Sequence, residues 1–259
     1  MRKPWLEHYQ DIATICLPLY GRDINYFAHA YIQPNGSYFV LANDPSATEH
    51  YISEKGLPPS GLSNFNQLKS GAVFLGDKDD NALGFTAGTL KTLQERFNIV
   101  NPLLCVQKHD TFAELYLFGL NLDNAYQAYS KQPDFFQQFL FYYKDKAKDI
   151  IDDAKILMPT APVPLEQSQV SQCIDNLNSG FEINTYWITT QNGDVRFTKN
   201  EYAIFAEIGR GLEAKEIAIL LNKSESTVKN VITEIKVKTG LSRKADLRKL
   251  YLQNHVIRT

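Results

Sequence analysis

The sequence predicts a two-part chain. A mixed α/β sandwich occupies residues 1–157 and an all-α four-helix unit occupies 194–259, with a proline-containing connector at 158–193 between them. Three observations lead to this division. Short β-prone runs separated by turn signals fill the first part. Pro159, Pro162 and Pro164 then cluster in LMPTAPVPLEQSQVSQ, where fixed φ angles and missing N–H donors block helix and favour an extended, semi-stiff segment. Finally, the charge changes sign. Residues 1–195 carry 14 Lys or Arg against 22 Asp or Glu, whereas residues 196–259 carry 13 against 7. The overall net charge of −2 hides this asymmetry, and a compact basic end suits a polyanion such as nucleic acid.

With 259 residues, 44% of them hydrophobic and 12% aromatic, the chain can bury a sizeable core. MRKPWLEHYQ has no apolar run behind its basic start, and no window holds the roughly 18 uninterrupted apolar residues of a spanning helix. The expectation is a cytoplasmic protein with no membrane partner. Cys16, Cys105 and Cys173 are scattered without a CxxC pair and read as buried thiols rather than a disulfide framework or zinc site.

In the first part, NYFAHAYIQ and SYFVLA flank Pro34-Asn35-Gly36. Asn-Gly accepts the positive φ angles of a tight turn, so a first hairpin is expected. GAVFLG (71–76) reads as a short strand and TLKTLQERFN (89–98) as a helix by its apolar spacing. NPLLCVQKHDTFAELYLFGL reads as a second hairpin turning near His109-Asp110. One long amphipathic helix is expected just after Pro133, with Phe136, Phe139, Leu140, Tyr143, Ala147, Ile150, Ile151 and Ala154 on one stripe. About five strands with helices packed around them resemble a PAS-like α-β-α sandwich. The aromatic residues Tyr26, Tyr31, Tyr38, Phe39, Phe74, Phe112 and Tyr116 alternate between sheet faces. They can wall a small-molecule pocket, and the expectation is that they fill the core instead. Beyond the prolines, a short helix is expected near 166–178, and Tyr186–Thr190 is expected to be extended before the Asn192-Gly193 turn.

The C-terminal pattern is densely helical. Thr198 and Glu201 have capping-box spacing, and that first helix runs towards Gly209 and Gly211. EAKEIAILLN (213–222) is a second, short helix. Ser224 can cap a third, 224–238, on which Val228, Ile232 and Ile235 face inward and leave Lys229, Asn230, Thr233 and Lys236 outside. LSRKADLRKLYLQN is a fourth helix. Two short helices joined by a tight turn, the second bearing Lys and Asn outward, are the ingredients of a helix-turn-helix. Lys can reach guanine or phosphate in a major groove and Asn can read adenine.

The order and spacing of Thr198, Glu201, Gly211, KEIA (215–218), STVK (226–229), Ile235, Lys238, Gly240 and Ser242-Arg243 resemble the DNA-binding domain of LuxR-type (NarL/FixJ-like) regulators over about the last 65 residues. The resemblance implies a transcription regulator acting as a homodimer on double-stranded DNA through the helix at 224–238, with contact to RNA polymerase as a further implied partner. It places base or groove contacts at Lys229, Asn230 and Thr233, with Thr227 and Lys236 on the same helix. Phosphate contacts fall at Lys215 and Ser226, and pairing of subunits at 242–253. Three positions depart from the pattern: Asn200 replaces a common Arg, Val231 a common His, and Thr239 a usual Leu. The layout also resembles quorum-sensing regulators of this family. Trp5 and Trp187 are not placed to build a lactone pocket, so no acyl-homoserine lactone is expected and any small-molecule ligand is a different one. No paired acids follow a first strand, which argues against a phosphoacceptor receiver.

Enzymatic signatures are missing. The five His residues show no HxxH or HExxH spacing, and there is no GxSxG, Walker loop or dinucleotide fingerprint. The expectation is a non-enzyme without cofactor or metal. His29 reads as a core histidine, and Asp77, Asp79 and Asp80 as a solvated loop. A second functional reading remains: an interaction adaptor whose degenerate helix-turn-helix docks on another regulator without reading DNA.

Overall fold

The computed structural model describes residues 4–55, 65–75, 87–121, 129, 133–158, 183 and 185–255. Strands β1 (Ile24–Ile32), β2 (Tyr38–Ala42), β3 (Gly71–Phe74), β4 (Asn101–Lys108) and β5 (Ala113–Leu120) form one antiparallel sheet in the order β2-β1-β5-β4-β3. The first expected hairpin is present. Gly36 adopts φ +83° in its turn, and Asn35 Oδ1 accepts from the Ser37 N–H at 3.0 Å. The second turns where expected, with the His109 N–H donating to the Phe112 carbonyl at 2.8 Å.

Alternation along the strands divides the side chains between two layers. Phe27, Tyr31, Phe39, Leu41, Tyr116 and Phe118 face one side. They meet Ile12 of helix α2 (Tyr9–Ile15), Leu19 of α3 (Leu17–Tyr20), Phe136, Phe139 and Tyr143 of α6 (Pro133–Lys146), and Ile151 of α7 (Lys148–Ile156). Tyr26, Ile32, Tyr38, Leu104 and Leu115 face the other side. There they meet Leu6 of α1 (Pro4–Glu7), Ala47 of α4 (Pro45–Lys55) and Leu93 of α5 (Ala87–Phe97). The first layer is ring packed on ring, with Phe27 against Phe118, Phe139 and Tyr143 at centroid distances of 5.1, 5.2 and 4.7 Å.

The single long helix after Pro133 is corrected to two segments, α6 and α7. Ala147, at φ −93° and ψ 9°, leaves the α region between them. The ladder almost survives, since the Ala147 N–H donates to Tyr143 and the Ile151 N–H to Ala147, each at 2.8 Å. The apolar stripe therefore reads straight through a break that no Gly or Pro announces.

The C-terminal unit is also corrected, from all-α to four helices plus a hairpin. Strands β6 (Thr185–Thr190) and β7 (Gly193–Thr198) pair antiparallel around Gln191-Asn192. They carry Ile188 and Phe197 into the core of helices α8 (Lys199–Arg210), α9 (Ala214–Leu220), α10 (Glu225–Thr239) and α11 (Lys244–Asn254). Strand β6 lies within the stretch expected to be connector. β7 alternates polar and apolar residues from Asp194 to Thr198, but the run is short and ends in the Thr198 cap of the helix that follows, whose pattern dominates the reading. Gly211 and Gly240, at φ +97° and +69°, close α8 and α10. Gly209 lies inside α8 because the Tyr251 ring rests on it, where a Cβ would overlap the ring.

The two parts meet along a seam that is apolar at Phe141, which joins the C-terminal core, and polar elsewhere. Lys144 is buried and donates to Glu114 Oε2 at 2.6 Å, and to Gln107 Oε1 and Thr189 Oγ1 at 3.2 Å each. His29, a core residue as expected, lies 3.5 Å from Glu114 and 3.2 Å from the Tyr143 hydroxyl. Burial pushes the Glu114 carboxyl up, but Lys144 and His29 together hold it well below the usual carboxylate range, while burial lowers His29. Cys16 and Cys105 are buried free thiols. Pro159, Pro162, Pro164, the helix expected at 166–178, Cys173 and the Asp77–Asp80 cluster fall outside the described residues.

Candidate nucleic-acid interface

Helix α10 forms where Ser224 offers its hydroxyl to the Thr227 N–H at 3.0 Å, satisfying one of the free donors at the helix start. Val228, Val231, Ile232, Ile235 and Thr239 are its buried residues. At about 100° per residue, Ser226, Asn230, Thr233 and Val237 lie opposite that stripe, and all four are exposed. Lys229 and Lys236 flank this line on one side, and Thr227 lies on the other. The helix thus gathers six of the seven sequence-predicted residues, all exposed except the half-buried Lys236.

The seventh, Lys215, is exposed on α9. It acts at the same helix end: Lys229 first, and Lys215 more weakly, hold the Glu225 carboxyl below its ordinary range. Glu225 is the main feature missed by the sequence reading. Its Oε1 lies 2.7 Å from Lys229 Nζ, an i,i+4 pair that ties the cation to its own helix. The i,i+4 spacing of Glu225 and Lys229 is present in ESTVK and is the local signal for this pair. The polar groups at the helix start also contact one another: Ser224 Oγ lies 2.8 Å from Ser226 Oγ and 2.7 Å from Thr227 Oγ1. Thr233 donates back to the Lys229 carbonyl at 3.0 Å. Asn230 makes no side-chain hydrogen bond among the described residues. Val231, noted as a departure from the family pattern, points inward at 7% exposure, so it belongs to the core. Val237, on the outward line, is 78% exposed.

The frame holding α10 explains several pattern residues at once. Thr198 caps α8 and Glu201 returns the bond, its Oε2 accepting from the Thr198 N–H at 2.8 Å. The other oxygen of Glu201 lies 2.6 Å from Lys238 Nζ, on the last turn of α10. One buried carboxylate therefore fixes the start of α8 and clamps it to α10. Burial raises the Glu201 carboxyl, but its bonds to Lys238 and Thr198 bring it below the ordinary value. At the other end, Lys244 donates to the Leu212 carbonyl at 2.7 Å and pairs with Glu213 at 2.8 Å, tying α11 to the loop before α9. These ties make α8, α9 and α11 a fixed support that presents one face of α10.

Among the described residues, no group of three His, Cys, Asp or Glu side chains is gathered to hold a metal ion, and no helix is long and apolar enough to cross a membrane.

No family model matches the sequence, and no curated relative matches it. Among solved structures the chain is similar to Escherichia coli SdiA, a LuxR-family regulator, crystallised in space group P6522. The identity is 14% and the TM-score 0.39, over 98% of this chain and 96% of that one. It is also similar to SdiA in complex with octanoyl-rac-glycerol, at 13% identity and a TM-score of 0.36, over 100% of this chain and 91% of that one.

Proposed function

We propose that this chain is a LuxR-type transcription regulator that binds operator DNA as a homodimer, with α10 in the major groove and the N-terminal part as a PAS-like sensory or dimerisation domain. The observation that carries the reading is the outward line Ser226, Asn230 and Thr233 with Lys229 and Lys236 beside it, on a helix whose opposite face is wholly core. An amide at the centre of that line suits a bidentate contact to adenine, and flanking cations suit guanine or phosphate. Lys215 and Ser226, in the first turns of α9 and α10 respectively, are the groups for backbone phosphate. The five-stranded antiparallel sheet covered by helices on both faces supports the PAS-like reading of the first part. The protein acts by binding rather than catalysis, without a cofactor.

A gel shift of the full chain against genomic fragments tests this. Selective retardation that is lost in Asn230→Ala is the expected result. Absence of retardation even at low salt would reject DNA binding and favour the adaptor, in which the same face docks on another regulator.

A further inference from the structure

A groove of about 390 Å³ lies at the seam between the two parts, within the range of small-molecule sites, which occur preferentially at such junctions. Helix α6 supplies Asp134 and Gln137 to one wall, and Tyr186, Tyr202, Tyr251 and Leu252 line the rest. The rings form a continuous stack across three elements. Tyr186 and Tyr202 lie 3.9 Å apart and 6° from parallel, Tyr202 stacks on His255, and His255 stacks on Tyr251 at 3.6 Å. The stack is rigidly held, because the Tyr202 hydroxyl lies 2.8 Å from His255 Nε2 and the Tyr251 ring rests on Gly209.

Two features show what chemistry the groove lacks. Gln137 is 5% exposed, and its Nε2 donates to the Asn254 carbonyl at 3.1 Å, yet its Oε1 is buried with no hydrogen-bond partner. A buried acceptor left unpaired is costly and calls for a donor. The charges in the wall do not cancel. Arg210 lines the groove too and acts on Tyr202 and Tyr251 in the opposite sense to Asp134, but its charge is met by Glu207, whereas Asp134 is exposed and makes no ion pair among the described residues. Aromatic faces beside an uncompensated carboxylate attract a cation.

From this we infer that the groove binds a small planar aromatic molecule carrying a hydrogen-bond donor, neutral or singly positive, packed against the side of the tyrosine stack that lines the groove, with its donor towards Asp134 and Gln137. Such a ligand touches both parts of the chain and stabilises their docked arrangement, which makes the groove a control site separate from α10. The inference does not depend on DNA binding, since the groove and the outward face of α10 share no residue.

Three probes that share a phenyl ring and differ in charge provide the test: 2-phenylethylamine, 2-phenylethanol and phenylacetate. Each is titrated into the full chain with saturation-transfer NMR and calorimetry. The amine and the alcohol are expected to bind saturably, the amine roughly three- to fivefold more tightly than phenylacetate. Asp134→Asn, at an exposed position, removes the advantage of the amine, and Ala206→Phe, which fills the groove from α8, abolishes binding of both. No saturable binding of any probe would overturn the inference. So would tightest binding of phenylacetate, or binding of the amine that Asp134→Asn leaves unchanged. The last variant keeps the test decisive even if Ala206→Phe does not fold.

Discussion

Asn254 and Thr189, 65 residues apart, exchange two hydrogen bonds. The Thr189 N–H donates to Asn254 Oδ1 at 2.8 Å, and Asn254 Nδ2 donates to the Thr189 carbonyl at 2.9 Å. The last residue of α11 thus completes the backbone of β6, while its own carbonyl accepts from Gln107 at 2.9 Å and Gln137 at 3.1 Å in the N-terminal part. One side chain and one carbonyl, 2% exposed, join the terminal helix to both the hairpin and the sandwich.

Replacing Asn254 by Ala strands a buried N–H and a buried carbonyl, and the expected cost is about 2–4 kcal/mol at the usual penalty per unpaired group. Asn254→Asp should be no milder, because it keeps an acceptor for the Thr189 N–H but turns an oxygen towards the carbonyls of Thr189 and Leu250, both now served by Nδ2. Urea unfolding of the two variants checks the order. An Asp variant as stable as the parent would remove this bond pair from the account of the seam.

Lys144 and Glu114 form the ionic centre of the same seam, at 7% and 4% side-chain exposure. Lys144→Met leaves the carboxylate buried beside His29 alone, and breaking such a pair typically costs about 3–5 kcal/mol. Adding Glu114→Gln to Lys144→Met should restore part of that loss, since the uncompensated charge is gone. A double-mutant cycle by denaturant titration at neutral pH checks it, and a double variant less stable than Lys144→Met would contradict the electrostatic reading.

How much of this was legible beforehand differs with the kind of signal. Both hairpins of the sheet were readable because Asn35-Gly36 and the His109-Asp110 turn punctuate β-prone runs. The capping box at Thr198 and Glu201 was readable because it is local. Its second role, gripping Lys238, was not, because that contact spans the fold. The break at Ala147 left no local mark, and β7 was hidden by the helical pattern that follows it. Long-range polar pairing was the least visible layer. Nothing in the spacing of Gln107, Lys144, Thr189 and Asn254 shows that they share one seam. On α10, periodicity revealed the outward face but not the Glu225–Lys229 pair within it.

Acid should loosen the seam before it reaches ordinary carboxylates. His255 donates from Nδ1 to the Tyr251 carbonyl at 3.0 Å, so its Nε2 accepts from the Tyr202 hydroxyl. Burial lowers its pKa from 6.5 to about 4. Between those values the unfolded chain binds a proton that the folded chain refuses, so stability falls as pH drops from about 6.5 and is lost in full near 4, on the order of 3 kcal/mol. Burial also lowers His29 and His109, which adds to the loss with the same sign. Thermal midpoints from pH 8 to 4 should be level above about 6.5 and decline below it. His255→Phe should flatten that decline, and an unaltered profile in the variant would assign it to other groups.

Glu225, Lys229 and Asn230 should each leave a different mark on DNA binding. If α10 lies in the major groove, Lys229 must exchange its bond to Glu225 for DNA, so Glu225 acts as a competitor for the cation. Glu225→Gln removes that competition and one negative charge from the face. Affinity at low salt should rise about two- to fivefold, and the dependence on salt should steepen by up to about one unit. Lys229→Ala should act in the opposite sense, and if it holds phosphate the loss will be similar on all sequences, with the slope shallower by about one unit. Asn230→Ala should instead cost about 1–3 kcal/mol on the preferred operator and little on other DNA, the mark of a base contact. All three positions are exposed and outside the core of α10, so the variants should melt within about 0.5 kcal/mol of the parent. Fluorescence anisotropy across a salt series separates the three signatures. Unchanged operator affinity in the Lys229→Ala/Asn230→Ala double variant would take this helix out of the groove.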